Sequence, residues 1–210
     1  MIDFKKTQKD LYQPKSTPSI VDVPEMIFIM VDGRGDPNDP QGAYAAAIEV
    51  LYGLSYAVKM GNKQTLEYVV PPLEGLWTVD DIEFDGRAAK ITDKGKFRWT
   101  AMIRQPDFVT PAIFETAKAA LQKKKPGLEL SPARREVWTE GLCVQVMHLG
   151  SYDDEPGTVE RLERFITESG FRSALSGDRR HHEIYLGDPR KTAPEKVRTV
   201  IRHPVCRKEN

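Results

Sequence analysis

Near the middle of the chain stands Ile103-Arg104-Gln105-Pro106, and near its end stands Ile201-Arg202-His203-Pro204. Each closes a run that reads as a strand. In the first run, Phe97, Trp99, Ala101 and Ile103 share one face, and Arg98, Thr100, Met102 and Arg104 share the other. Pro106 ends it, because proline cannot donate to a strand ladder. Working outward, the same order of elements precedes both tetrapeptides. In the first half, Met26-Ile27-Phe28-Ile29-Met30-Val31 reads as a strand buried on both faces, bounded by Gly33 and Pro37. A turn cluster, Asp36 to Gly42, leads into a helix over 42–60 that Gly61-Asn62 stops. Tyr44, Ile48, Leu51, Ser55 and Val58 fall on one side of it. Strand character returns within Glu67 to Val79, interrupted by Pro71-Pro72, and Asp80 to Gly95 is acidic and turn-rich.

In the second half, Glu136 to Leu149 reads as a strand and Gly150 to Pro156 as a loop. Gly157 to Ser169 reads as a helix with Val159, Leu162, Phe165 and Ile166 inward, and His181 to Leu186 and Val197 to Ile201 as two further strands. Between the halves, Thr110 can cap a helix with Pro111 at its first position and Lys123-Lys124-Lys125 at its end, where cations suit the helix dipole. Strand, loop, helix, strand, strand therefore occurs twice. The expected fold is α+β: duplicated β-α-β-β units related by a pseudo-twofold axis, their antiparallel sheets joined, with helices on one side and a central ligand groove. Residues 1–18 form a lead-in and 19–206 the domain, with repeat one at about 19–106, a linking helix at about 110–125 and repeat two at about 136–206.

Composition narrows the function. Lys plus Arg is 31 and Asp plus Glu is 31. A nucleic-acid binder normally carries a basic excess, so no direct nucleic-acid contact is expected. The longest apolar stretch, Met26 to Val31, is far short of the roughly 20 residues a membrane-crossing helix needs. MIDFKKTQKDLY at the start has no apolar core of a signal peptide. We expect a cytoplasmic protein, a monomer, with no membrane partner. Cys143, Cys206 and four histidines show no zinc spacing, and a disulfide is not expected in a reducing compartment. No Walker loop, dinucleotide fingerprint or nucleophile elbow is present. No metal and no cofactor is expected.

The residues left to carry chemistry lie in strands and one loop. Alternation over His181-His182-Glu183-Ile184-Tyr185-Leu186 puts His181, Glu183 and Tyr185 on one face and His182, Ile184 and Leu186 on the other. The face with Ile184 and Leu186 is expected to meet the helices. That leaves Glu183 in the groove, as an acid or base or as the counter-charge to a cation, with Tyr185 as a candidate proton donor. Trp77, Trp99 and Trp138 all fall in strands, where rings beside one carboxylate suit flat cationic ligands. His148 is a candidate proton carrier and Tyr152 a candidate groove-edge residue. Tyr44, Tyr52 and Tyr56 are expected to line the helix core, with one hydroxyl reaching the groove from behind.

Four stretches carry a resemblance. They are Pro72-Leu73-Glu74-Gly75-Leu76-Trp77, Ala101 to Thr110, Gly141 to Pro156, and His182-Glu183-Ile184-Tyr185-Leu186-Gly187-Asp188-Pro189-Arg190. In this order, over about residues 19–206, the chain resembles stand-alone GyrI-like small-molecule-binding domains. The resemblance implies recognition of bulky aromatic, often cationic compounds, with Glu183 matching the family's groove glutamate. It also implies an alternative, because some stand-alone members resemble hydrolases that open the cyclopropane ring of DNA-alkylating natural products. Other relatives suggest a regulator that binds another macromolecule. Binding and ring opening would share one groove, so the sequence leaves both readings open.

Overall fold

The computed structural model describes residues 1–80, 84, 93–188 and 191–208. Most of the acidic stretch between Asp80 and Gly95, and Pro189-Arg190 of the last motif, lie outside the described residues. Seven strands are present among them: β1 (Ser19–Arg34), β2 (Leu73–Val79), β3 (Phe97–Gln105), β4 (Arg134–Leu149), β5 (Phe171–Ser173), β6 (His181–Tyr185) and β7 (Arg198–Arg207). Two one-turn helices, α1 (Phe4–Thr7) and α2 (Lys9–Tyr12), precede them, and α3 (Ala43–Gly61), α4 (Pro111–Lys124) and α5 (Glu155–Glu168) are longer. Thr110 caps α4 as the sequence predicts, its side chain accepting from the Ile113 amide.

All strand pairs are antiparallel, and the sheet runs β4-β1-β3-β2-β6-β7-β5. The duplication is visible in the pairing. Exchanging β1 with β4, β2 with β6 and β3 with β7 maps the β1–β4 and β2–β6 contacts onto themselves. The halves join at both of these contacts, and β4 also pairs with β7, so six strands close into a barrel with β5 on the edge of β7. Closure gives the sheet an inside and an outside.

The outside carries the helices. Ile29, Val31, Trp77, Trp99, Ala101 and Ile103 pack against α3 and α4. Val144, Val146, Ile201 and Val205 pack against Val159, Leu162 and Ile166 of α5. The predicted split of β3 holds, since Met102 faces the barrel interior with Phe28, Met30, Leu76, Ile184 and Val200. Trp99 sits opposite Gly33 on β1, where a Cβ would lie 2.1 Å from its ring, so only glycine lets the indole lie flat there. Into the interior α2 inserts Leu11 and Tyr12.

The interior also holds charge. His182 Nδ1 bonds Glu140 Oε1 at 2.9 Å and its Nε2 bonds Glu74 Oε2 at 3.0 Å. Arg202 donates to Glu140 Oε2 at 2.8 Å and to the Leu11 carbonyl at 2.9 Å. Two carboxylates thus meet one guanidinium and one imidazole whose two nitrogens both face carboxylate oxygens, so the ring is an imidazolium.

Candidate functional site

One expectation about β6 is corrected here. Its Ile184 face looks into the barrel, and its Glu183 face looks outward toward the helices. Closure is the reason: the interior claims one face of every strand, so helices and groove share the other. The groove lies between α3 and α5 over the paired β2 and β6, where Gly75 stands opposite Glu183 and Trp77 opposite His181. It encloses a cavity of about 1220 Å³.

Trp77, Tyr152, Glu183 and Tyr185 line this cavity together. Trp77 Nε1 donates to the Tyr185 hydroxyl at 2.9 Å. A Cβ on residue 75 would stand 2.6 Å from that indole nitrogen and 3.1 Å from the hydroxyl, so Gly75 makes room for the pair. Tyr152 meets Tyr185 edge-on at 5.8 Å. Glu183 is 8% exposed, and its Oε1 pairs with His181 Nε2 at 2.9 Å. Burial, and then the neighbouring Glu183 and Tyr44, push the Tyr185 phenol well above its ordinary value. Burial does the same to Tyr44 and Tyr152. All three hydroxyls therefore keep their protons at neutral pH and can donate.

The other three candidates lie elsewhere. Trp99 is buried in the core beneath α3, with Tyr44 edge-on to it at 5.0 Å. Trp138 is on the interior side, edge-on to Phe28 at 5.8 Å and to His182 at 5.9 Å. Both misplacements share a cause: strand alternation gives two faces, and an indole is welcome on either. His148 is buried, with Nε2 donating to the Ser151 carbonyl and Nδ1 facing the Thr158 hydroxyl, each at 2.9 Å. It ties the Tyr152 loop to α5 and does not line the cavity.

Sequence reasoning missed a wall. Tyr44, Ile48, Tyr52 and Tyr56 recur every four residues along α3 and all line the cavity. That spacing marks one helix face and was the available signal. With Phe84 and Phe97, eight aromatic rings among the described residues border the space. Among the described residues, four lining carboxylates, from Asp39, Glu155, Glu183 and Asp188, outnumber the lysines Lys5 and Lys94. Aromatic faces and carboxylates both attract positive charge. Among the described residues no group of three or more His, Cys, Asp or Glu is arranged to hold a metal ion, and no helix is long and apolar enough to cross a membrane.

A duplicated, closed antiparallel barrel with an aromatic, acidic cavity between α3 and α5 defines a class of ligand-binding domain. The chain belongs to the GyrI-like small-molecule-binding domain family, whose model matches residues 16–205. A conserved, uncharacterised protein of Listeria innocua is 42% identical over 98% of this chain and 100% of its own, with a TM-score of 0.91. A hydrolase from Listeria innocua is 41% identical over 98% of this chain and 100% of its own, with a TM-score of 0.85. The C-terminal domain of EcmrR shares the fold at 13% identity, covering 91% of this chain and 98% of its own, with a TM-score of 0.53. Among curated proteins, no sequence matches this chain.

Proposed function

We propose that the cavity takes up bulky, flat aromatic compounds, cations above all, in the manner of a multidrug-type binding site. The observation that carries this reading is Glu183: a nearly buried carboxylate in the wall of a space of about 1220 Å³ bordered by aromatic rings. A desolvated cation–π contact contributes about 2 kcal/mol. Two of them, with one carboxylate and the burial of a multi-ring ligand, suffice for micromolar affinity, about 8 kcal/mol. Titration with rhodamine 6G, a lipophilic cationic dye, tests it. Saturable 1:1 binding in the micromolar range is expected, and no binding at millimolar protein would overturn the reading.

A second reading is favoured by the Glu183–His181 pair and by the 41% identity to a Listeria protein described as a hydrolase. The carboxylate can accept a proton from water while the water oxygen attacks a cyclopropane carbon of a bound cyclopropanoid. The strained C–C bond breaks, its electron pair passes through the conjugated dienone to the carbonyl oxygen, and the Tyr185 hydroxyl gives that oxygen a proton. The product is a phenol carrying a new alcohol, and the reaction is a detoxification. Ring strain lowers the barrier, so positioning and one acid–base pair are enough. Incubation with such a dienone should yield the water adduct, with Tyr185→Phe slowing its formation roughly 100-fold, the middle of the range for acid–base assistance. Full recovery of unchanged compound at stoichiometric protein would exclude catalysis on it.

A further inference from the structure

Glu183 is the cavity end of a longer chain of groups. His181 Nε2 faces Glu183 Oε1 at 2.9 Å, His181 Nδ1 faces His203 Nε2 at 2.8 Å, and His203 Nδ1 faces Glu163 Oε1 at 2.5 Å. The two imidazoles are fully buried, whereas the Glu163 side chain on α5 is 33% exposed. We infer that His181, His203 and Glu163 are a proton relay that runs along the outer face of the sheet and connects the cavity carboxylate to solvent beside α5. The inference rests on the reading of Glu183 as the polar group that works on the ligand.

Strand geometry builds the chain. His181 and Glu183 are two apart on β6, so their side chains stand together on the outer face. The β6–β7 register, His182 with Arg202, continues by one residue to set His181 against His203. Glu163 reaches His203 from α5, which covers this half of the barrel.

The relay follows from counting protons. Three hydrogen bonds need three protons, but two neutral imidazoles between two carboxylates supply only two. Filling the chain requires one further proton, with His181 and His203 together bearing a positive charge. With that proton on His203, His181 Nε2–H donates to ionised Glu183 and both His203 nitrogens donate. Shifting the His181 Nε2 proton onto Glu183, and the His203 Nε2 proton onto His181 Nδ1, makes Glu183 a neutral acid and leaves both rings neutral. Shifting the His203 Nδ1 proton onto Glu163 instead delivers the charge to the exposed end. No side chain rotates and every bond stays occupied, so the move costs no desolvated intermediate.

The surroundings keep the extra proton on this path. Around Glu183 stand the neutral phenols of Tyr44, Tyr152 and Tyr185, and the Glu155 and Asp188 carboxylates line the same cavity. The Phe84 ring closes over His181, edge-on at 5.7 Å. Arg180, the nearest cation in sequence, turns the other way and donates to Thr100. When a ligand fills the cavity and covers Glu183, the carboxylate takes the proton of attacking water while the chain gives up its extra proton from His203 Nδ1 through Glu163 to solvent, so the net charge of the buried groups is unchanged and both rings are left as neutral Nε2–H tautomers.

The test uses ring-nitrogen NMR on the full chain at neutral pH with 15N-labelled histidine, of which there are only four. In the wild type, His181 and His203 should share one positive charge, with averaged nitrogen signals between neutral and imidazolium positions. Glu163→Gln removes the outer carboxylate. Its amide can donate to His203 Nδ1, so both rings should become neutral Nε2–H tautomers, and His181 should change although residue 163 does not touch it. Fixed neutral tautomers in the wild type, or His181 signals unmoved by Glu163→Gln, would overturn the relay. Should the variant fail to fold, the wild-type spectrum alone decides. Failure of rhodamine 6G to bind a protein with the shared charge would count against the ligand reading and leave the relay standing.

Discussion

Glu183→Gln is expected to weaken rhodamine 6G binding roughly 10- to 100-fold, the scale of one charge-assisted contact in a desolvated site. The substitution keeps the shape and the apolar area of the cavity and removes only the charge. The wild-type affinity should fall moderately with added salt, because Glu183 is sheltered from counter-ions while Asp39 and Asp188 are less so. A neutral aromatic of the same size should bind wild type and variant alike. Fluorescence anisotropy with both probes separates the electrostatic contribution from the apolar one. Equal dye affinity in the two proteins would show that the rings alone hold the ligand.

The second large effect lies in the barrel interior. Arg202→Met should destabilise the protein by about 3–5 kcal/mol, the cost of leaving one member of a buried charge pair uncompensated, here Glu140. For a chain of this size that lowers the melting temperature by about 6–20 °C. The same network fixes how stability varies with pH. Burial would lower the His182 pKa, but the Glu140 and Glu74 carboxylates outweigh it and hold it at about 9, above its ordinary 6.5. His182 therefore stabilises the fold fully below about 6.5, and this stabilisation is lost as pH rises through about 9. Glu140 acts in the opposite direction. Burial raises its pKa, yet His182 and Arg202 bring it to about 2, so its contribution is present above 4.5 and fades as pH falls toward 2. Thermal melts should show a plateau at mildly acidic pH, a decline toward pH 9, and a flatter alkaline limb in His182→Gln. A melting temperature independent of pH between 6 and 9.5 would contradict the charged assignment of the ring.

How far the sequence carries can be judged residue by residue. The alternation of Phe97 to Arg104, the Thr110–Pro111 helix start and the apolar side of α5 are local, and each survives into the structure. The doubled order of elements predicts the two halves and their symmetry. Barrel closure was not legible, because pairing β4 with both β1 and β7 depends on contacts 49 or more residues apart that no local pattern encodes. Without closure, neither face of β6 could be assigned: each carries a histidine and a large side chain, and the more apolar one proved to be the barrel lining. The same ambiguity sent Trp138 inside and Trp99 into the core while Trp77 reached the cavity. The sequence reading puts Glu183 in a groove by sending the Ile184 and Leu186 face to the helices; the structure has Glu183 in the cavity wall, but on the helix side of the sheet. The partnership of His181 with His203 was not legible, since it joins two strands whose register the sequence does not state.

The most direct test of the central claim is a crystal structure of the protein soaked with rhodamine 6G. The dye should lie between the α3 tyrosines and Tyr152, over Trp77, with its charged nitrogen system within about 5 Å of the Glu183 carboxylate, the range of a direct opposite-charge contact. Dye bound on another surface, or a cavity closed by the collapse of Tyr52 and Tyr56 onto Trp77, would contradict it.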